Sequence, residues 1–515
     1  MSLSHPTQES WLRAPNDGPP DGPARRADAE EPLSASATPP RRRAEAVVPL
    51  VVDLDGTLVR SDLLAEESVL ALKRNPLSAF EMLVWLRKGR AHFKSRIAER
   101  VTLDSEGLPY RRAVLEYLQA EVAAGRRLVL ATAADAKIAR QVADRLGLFD
   151  AVLASDGEVN LSGEQKRERL VSAFGEKGFD YVGNSARDLA VWSSARRAVL
   201  VAPTARLRRR AENVVEVERV LDDDPTTLLD YLRALRLHQW LKNLLVFVPV
   251  VAAHRLGEAP LLAQASMAFL AFGLCASSVY LFNDLMDIEA DRHHPSKRAR
   301  PLASGRVPVT LAPALALGLM AATLAVSVTL PTPFLGVLGA YLVLNVAYSL
   351  WLKPVPILDV LILAGLYTLR IIAGSAAIGV WPSTWLLAFS MFLFLSLALV
   401  KRYAELMAMR AVEGAKARAR GYRLDDAELL ASLGGGAGYL AVLVLALYIE
   451  GGAHLLYSRP QLIWVLCVLL LYWISHLWLM AHRKRMHDDP LVFAVRDPTS
   501  QLLLALMAVV VIVAI

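Results

Sequence analysis

Hydrophobic positions divide the chain near residue 238. Before that point, short apolar runs alternate with helix-like polar stretches: VPLVVDLDGT at 48–57, LVLATA at 128–133, AVLAS at 151–155, FDYVG at 179–183 and AVLVAP at 198–203. This alternation predicts a parallel α/β sheet. After residue 238, nine apolar segments are long enough to cross a bilayer, near 241–254, 262–282, 307–330, 333–352, 356–380, 382–400, 437–450, 461–481 and 499–515, the first and seventh being short. The expected fold class is multi-domain: a soluble α/β parallel sheet, then an all-α polytopic membrane domain of nine transmembrane helices. Residues 1–45, rich in Pro, Ala, Arg and Glu without hydrophobic periodicity, predict a disordered tail. Residues 46–220 are assigned to the soluble domain, with a small helical cap over about 62–115. Residues 221–238 read as a linker and an interfacial helix, with Leu228, Leu229, Leu232 and Leu235 at helical spacing. Residues 239–515 make up the membrane domain.

Composition agrees with this division, since a chain of 515 residues that is 54% hydrophobic is too apolar to be soluble throughout. The start of the chain has no basic-then-apolar signal peptide, so the soluble domain is expected in the cytoplasm. Cys275 and Cys467 lie in apolar runs and read as small buried hydrophobes. The net charge of +7 matters through its placement. Loops after even-numbered segments hold 17 Lys and Arg, loops after odd-numbered ones only Arg255 and Arg459. Even loops are therefore cytoplasmic, which puts the carboxyl terminus outside. Membrane lipids are the surroundings, subunit packing is permitted, and no nucleic-acid partner is expected.

The stretch NDLMDIEAD, Asn283 to Asp291, sits where an apolar run meets a loop rich in Arg and Lys. On one helix Asp284, Asp287 and Asp291 would share a face, and three crowded carboxylates call for a cation, with Mg²⁺ the natural match for hard oxygen ligands beside phosphates. Other polar groups fall at the same membrane side: Lys242 opening the first segment, Tyr348, Lys353 and Asp359 in YSLWLKPVPILD, and Lys401 and Arg402 in KRYAEL. Carboxylates with a metal and surrounding cations describe a pocket for a phosphorylated substrate. Arg370, inside the fifth segment, is a functional candidate because a charge there is costly. NDLMDIEADRHHPSKRARPLASG resembles the first Asp-rich motif of the UbiA superfamily of intramembrane prenyltransferases. YSLWLKPVPILD, LRIIAGSAA and KRYAEL resemble its polyprenyl-phosphate phosphoribosyltransferase branch, over about residues 231–515.

That resemblance implies a multi-pass enzyme of a bacterial-type inner membrane. Phosphoribosyl pyrophosphate would bind through Mg²⁺ held by Asp284, Asp287 and Asp291, with Asp359 completing the cage. A polyprenyl phosphate would then attack the anomeric carbon and expel pyrophosphate. Lys353, Arg298, Arg300, Lys401 and Arg402 would grip the phosphates, and Lys242, Asn283, Tyr348 and Arg370 would line the substrate site. Aromatic prenyltransferases of the superfamily tend to carry a second paired-Asp motif. Here Asp359 has no such partner, which favours the different donor. The alternative activity is transfer of a prenyl chain from an allylic diphosphate to an aromatic acceptor. A non-enzymatic alternative is a transporter or lipid-binding scaffold.

In the soluble half, strand ends carry Asp53 with Asp55, then Thr132, then Asn184 with Asp188, while Lys166 lies between the third and fourth strands. The four short motifs, in this order, resemble the haloacid dehalogenase superfamily of phosphohydrolases. The resemblance implies Asp53 as nucleophile, Asp55 as general acid and base, and Thr132 and Lys166 holding phosphoryl oxygens. Mg²⁺ would be held by Asp53, Asp55, Asn184 and Asp188. Asn184 departs from the usual Asp and should weaken the metal's hold. Within the cap, AFEMLVWLRKGRAHFKSRIAER interleaves apolar and basic residues, fitting either an anionic membrane surface or a cap packed over its own active site. Fusion suggests sequential chemistry, the phosphatase removing the 5-phosphate to leave polyprenyl-phosphoryl-ribose.

Overall fold

Six strands form one parallel sheet: β1 (Leu50–Val52), β2 (Leu128–Asp135), β3 (Ala151–Ser155), β4 (Asp180–Gly183), β5 (Arg197–Val201) and β6 (Glu216–Leu221), in the spatial order β3-β2-β1-β4-β5-β6. The computed structural model describes residues 48–156, 158–222, 226–410, 421–451, 456–486 and 489–515. The expected tail at 1–45, residues 223–225 of the linker, and Lys416, Arg418 and Arg420 from the charge comparison lie outside the described residues. Strand β1 is fully buried, with Val51 opposite Val129 on one side and Tyr181 on the other. Its alternate residues feed two cores. Leu50 and Val52 join Val114, Leu118 and Ile138, while Val51 joins Leu170, Tyr181 and Trp192. The chain winds outward from β1 through β2 and β3, then returns to β4 on the other side. The carboxyl ends of β1 and β4 therefore flank the crevice where such sheets bind ligands. Strand β6 is a polar edge strand that the apolar runs do not announce.

Between β1 and β2 come helix α1 (Leu63–Arg74) and two further helices, Ser78–Arg87 and Arg90–Arg100, before Arg112–Ala123 returns to the sheet. Asp62 caps α1 by accepting from the Ala65 amide at 3.0 Å.

Among the described residues, seven helices are long and apolar enough to cross a membrane: Ala259–Met286, Val309–Ser327, Thr332–Leu352, Leu358–Ile378, Thr384–Met409, Leu424–Gly451 and Pro460–His482. An eighth is reached if Pro490–Arg496 and Pro498–Ala514, bent by 86°, count as one. The first of the nine expected segments falls on Leu237–Ala252, a shorter apolar helix. Eleven of its residues wind as 3-10 helix and five as α. At about 2.0 and 1.5 Å per residue that reaches about 29 Å, where an all-α segment of this size would reach about 24 Å. It packs inside the bundle. Trp240 donates to Ser277 Oγ at 3.0 Å, and a Cβ on Gly374 would lie 2.0 Å from the Val246 carbonyl oxygen, so only glycine permits that approach.

From Val48 onward the soluble and membrane halves belong to one compact unit. Val69 of α1 packs with Leu281, Leu285, Ile288, Leu302 and Val307 of the membrane half. Beside this apolar contact, Arg292 donates to both carboxylate oxygens of Glu66, at 2.7 and 2.5 Å, and both side chains are buried. The cap reading of the basic helix is supported where Lys94 turns inward to the Ala133 carbonyl, at 2.5 Å, and Asn160 Oδ1, at 2.7 Å.

Candidate functional site

The phosphatase motifs converge at the carboxyl end of β1. Lys166 donates to Asp53 Oδ1 at 2.7 Å and to the Tyr181 hydroxyl at 3.0 Å, and Tyr181 in turn donates to Asp188 Oδ1 at 3.0 Å. Burial raises the Asp53 carboxyl above its ordinary range, with Lys166 pulling it partly back. Asp55 accepts from the Leu63 amide at 3.0 Å, at the first residue of α1, and burial pushes its pKa up to about 7. A carboxyl poised there can both give and take a proton near neutrality. Thr132, fully buried, accepts from the Ala134 amide at 2.9 Å through its hydroxyl oxygen, leaving its proton to donate. Lys94, from the cap, has its pKa lowered by burial, against the pull of Asp55 and Asp62.

The donor set fits a divalent ion at Asp53 and Asn184. The Thr57 hydroxyl lies 3.2 Å from Asp53 Oδ2 and 3.1 Å from Asn184 Oδ1, and its single proton can serve only one of them. One oxygen of the group is always short of a donor, a deficit a cation relieves. Asp188 also organises this corner: its Oδ2 accepts from the Asn184 amide, the Ser185 amide and the Ser185 hydroxyl, while Oδ1 takes Tyr181, so it holds the loop that presents Asn184. Sequence reasoning passed over Thr57 and Tyr181, although Thr57 lies within the same DLDGT motif.

In the membrane half the expected residues separate into three clusters. The first surrounds the Asp-rich motif. The helix Ala259–Met286 ends at Asp287, whose amide donates to the Asn283 carbonyl at 2.9 Å, and Ile288–His293 starts anew. The single helix expected to carry all three aspartates is thus interrupted at Asp287. Asp284 accepts from Arg236 Nε at 3.0 Å and Arg300 Nη1 at 3.2 Å, and Arg300 also binds Asp291. Asp287 is held between Lys353, at 3.2 Å, and Lys73 of α1, at 3.3 Å. Arg298 is exposed and Asn283 half-buried beside them.

The second cluster lies deeper, around Asp489, which sequence reasoning missed. Lys242 and Lys401 reach Asp489 Oδ2 at 2.8 and 3.1 Å, and the Tyr367 hydroxyl donates to the same carboxylate. Arg370 lies nearby over the Tyr367 ring, bonded to Asn243 Oδ1 and the Tyr341 hydroxyl, both at 2.9 Å. The third cluster is built on Asp359. Asp359 is fully buried against Arg402, whose Nη2 lies 2.6 Å from its Oδ2, and accepts from the Tyr422 hydroxyl at 2.6 Å. Lys353 thus serves Asp287 and not its sequence neighbour Asp359. Tyr348 opens the π-helical turn Tyr348–Leu352 that leads into Lys353.

Among the described residues, no three His, Cys, Asp or Glu side chains converge as a ready-made metal site. The pair Asp284 and Asp291 nonetheless fits one. The Arg300 guanidinium already stands between these two buried carboxylates, the electrostatic place a divalent ion would take. Asp359, neutralised by Arg402, does not fit.

The description of the UbiA prenyltransferase family matches residues 244–512, more than half of the chain, and that of haloacid dehalogenase-like hydrolases matches residues 50–193. An uncharacterized protein of Sinorhizobium fredii, y4nM, is 37% identical over 466 residues, 90% of each chain. Nodulation protein NoeC of Azorhizobium caulinodans is 37% identical over 275 residues, 53% of this chain and 89% of that one. The decaprenyl-phosphate phosphoribosyltransferase of Mycolicibacterium smegmatis is 42% identical over 179 residues, 34% of this chain and 56% of that protein. The chain belongs to the UbiA prenyltransferase family, as a multi-pass membrane protein whose transferase domain is similar to decaprenyl-phosphate phosphoribosyltransferase and is preceded by a haloacid dehalogenase-like hydrolase domain.

Proposed function

We propose that the membrane domain moves 5-phosphoribose from phosphoribosyl pyrophosphate to a polyprenyl phosphate, and that the soluble domain then removes the 5-phosphate. The carrying observation is the 42% identity to a decaprenyl-phosphate phosphoribosyltransferase. The cations around Asp284, Asp287 and Asp291 suit a donor rich in phosphate. In the first step an oxygen of the lipid phosphate bonds to the anomeric carbon as the bond to pyrophosphate breaks, the leaving group keeping the electron pair. Lys353 and Arg300 screen the charge on the departing pyrophosphate, while Lys242, Lys401 and Arg370 orient the lipid phosphate, so positioning and electrostatics carry the rate. Mg²⁺, held by Asp284 and Asp291 in one domain and by Asp53 and Asn184 in the other, would supply further charge neutralisation when bound.

In the second step the Asp53 carboxylate attacks the phosphorus of the 5-phosphate, and Asp55 protonates the leaving ribose oxygen. Asp55 then takes a proton from the water that hydrolyses the aspartyl phosphate. Lys166 and Thr132 bind the phosphoryl oxygens. Both sites face the cytoplasm in this reading, with the carboxyl terminus outside, as the excess of Lys and Arg in one set of loops supports. Mass spectrometry of lipids tests both steps. Wild type given Mg²⁺, phosphoribosyl pyrophosphate and polyprenyl phosphate should form polyprenyl-phosphoryl-ribose, whereas Asp53→Asn should stop at the 5-phosphorylated lipid. No ribosylated lipid from active protein refutes the transfer, and the same product from both proteins refutes the role of Asp53.

A further inference from the structure

We infer that Lys73, a residue of the hydrolase domain, is a phosphate-binding residue of the transferase site. The inference rests on the proposed transfer from a diphosphate donor. Lys73 ends α1, and its Nζ lies 3.3 Å from Asp287 Oδ1, while Lys353 of the membrane domain lies 3.2 Å from Oδ2 of the same carboxylate. One carboxylate balances one lysine. Arg236, Arg300 and Lys353 neutralise Asp284, Asp287 and Asp291, and Lys73 brings an added positive charge.

That charge is accessible and accurately placed. The side chains of Lys73, Asp287 and Lys353 are 40%, 35% and 35% exposed, so an arriving anion can reach them. A pair this exposed contributes little to stability and exchanges partners readily. Its position, however, is fixed from below. The buried pair Glu66 and Arg292 and the packing of Val69 on Leu285 and Ile288 clamp α1 to the polypeptide on either side of Asp287. A second contact between the domains, His293 with Asp104, lies farther along the same edge. The transferase site is thus completed by a cation from the neighbouring domain. A diphosphate arriving at this exposed pair would draw Lys73 and Lys353 from Asp287 toward its own phosphoryl oxygens. Two point charges flanking one diphosphate match its two phosphoryl groups.

The test uses the full-length protein in nanodiscs. With phosphoribosyl pyrophosphate as the varied substrate, Lys73→Ala should raise KM about tenfold while kcat changes less than about threefold, and Lys73→Arg should restore most of the loss. Thermal unfolding and hydrolysis of a soluble phosphomonoester should stay at wild-type values. Calorimetric titration with Mg²⁺ and inorganic pyrophosphate provides an arm independent of the donor. The binding signal should weaken by a similar factor in Lys73→Ala, and loss of that signal in Asp284→Asn assigns it to the transferase site. A KM within twofold of wild type overturns the inference. If wild type consumes no phosphoribosyl pyrophosphate, the proposed function fails and the calorimetric arm decides alone. Equal pyrophosphate affinity in wild type and Lys73→Ala, or no Asp284-dependent binding at all, then overturns the role of Lys73.

Discussion

Glu66→Ala isolates what holds the two domains together. The carboxylate accepts two charge-assisted hydrogen bonds from Arg292 and is almost wholly removed from water, as is its partner. Removing it leaves a guanidinium buried with one remaining bond, from Nε to the Ala303 carbonyl at 3.0 Å. Stranding a buried charge in this way costs about 3–5 kcal/mol. Replacing both residues, as Glu66→Met with Arg292→Met, removes the stranded charge and costs only the Ala303 acceptor, about 1 kcal/mol. Hydrogen exchange reads the difference directly. The amides of α1 should lose protection by on the order of 10²- to 10⁴-fold in Glu66→Ala, at tenfold per about 1.4 kcal/mol. In the double variant the loss should stay within about tenfold by the same conversion. Protection in Glu66→Ala within tenfold of wild type, or a double variant as exposed as the single one, refutes a buried pair as the clamp.

Phosphatase kcat/KM should fall as pH rises above about 7, because the protonated Asp55 carboxyl is the acid and its pKa is raised to about 7; Asp55→Asn should lose this limb along with the activity, and a flat profile to pH 9 refutes the assignment. Asp359→Asn should lower the unfolding temperature and yield of the membrane domain without a selective rise in KM for any substrate, since it leaves buried Arg402 with Glu405 as its remaining carboxylate partner; a pure KM effect would return Asp359 to the substrate site. Cysteines at His238 and Glu258 should be labelled by membrane-impermeant maleimide from opposite sides if Leu237–Ala252 crosses the bilayer, and labelling from one side shows a segment that turns back.

Local patterns gave away what local physics decides. Apolar runs disclosed β1 to β5, and the motifs at their ends meet in one crevice because a doubly wound sheet gathers strand ends. Strand β6 escaped notice because Glu216, Glu218 and Arg219 suit an exposed edge and dilute its apolar signal. Counting apolar residues also understated the reach of the first membrane segment, because residue number measures length only at α-helical rise and 3-10 winding is longer per residue. Partner choice was the least legible. Lys353 and Asp359 are six positions apart, yet Ile357, with φ +67°, redirects the chain and sends each to a distant partner. Lys73 meets Asp287 across 214 positions, a contact that only docking of the finished domains creates.

Helix α1 also sets a timescale. Its first residue holds Asp55 and its last turn holds Asp287 through Lys73, ten residues on, so the two reaction centres are about 15 Å of helix apart. Under the proposed sequence, a lipid whose head leaves one centre meets the other at millimolar or higher local concentration while its tail stays in the same leaflet. Dephosphorylation then becomes a first-order relay that does not depend on how much enzyme the membrane holds. Diluting the protein in lipid should slow the first product and leave the ratio of phosphorylated to dephosphorylated lipid unchanged.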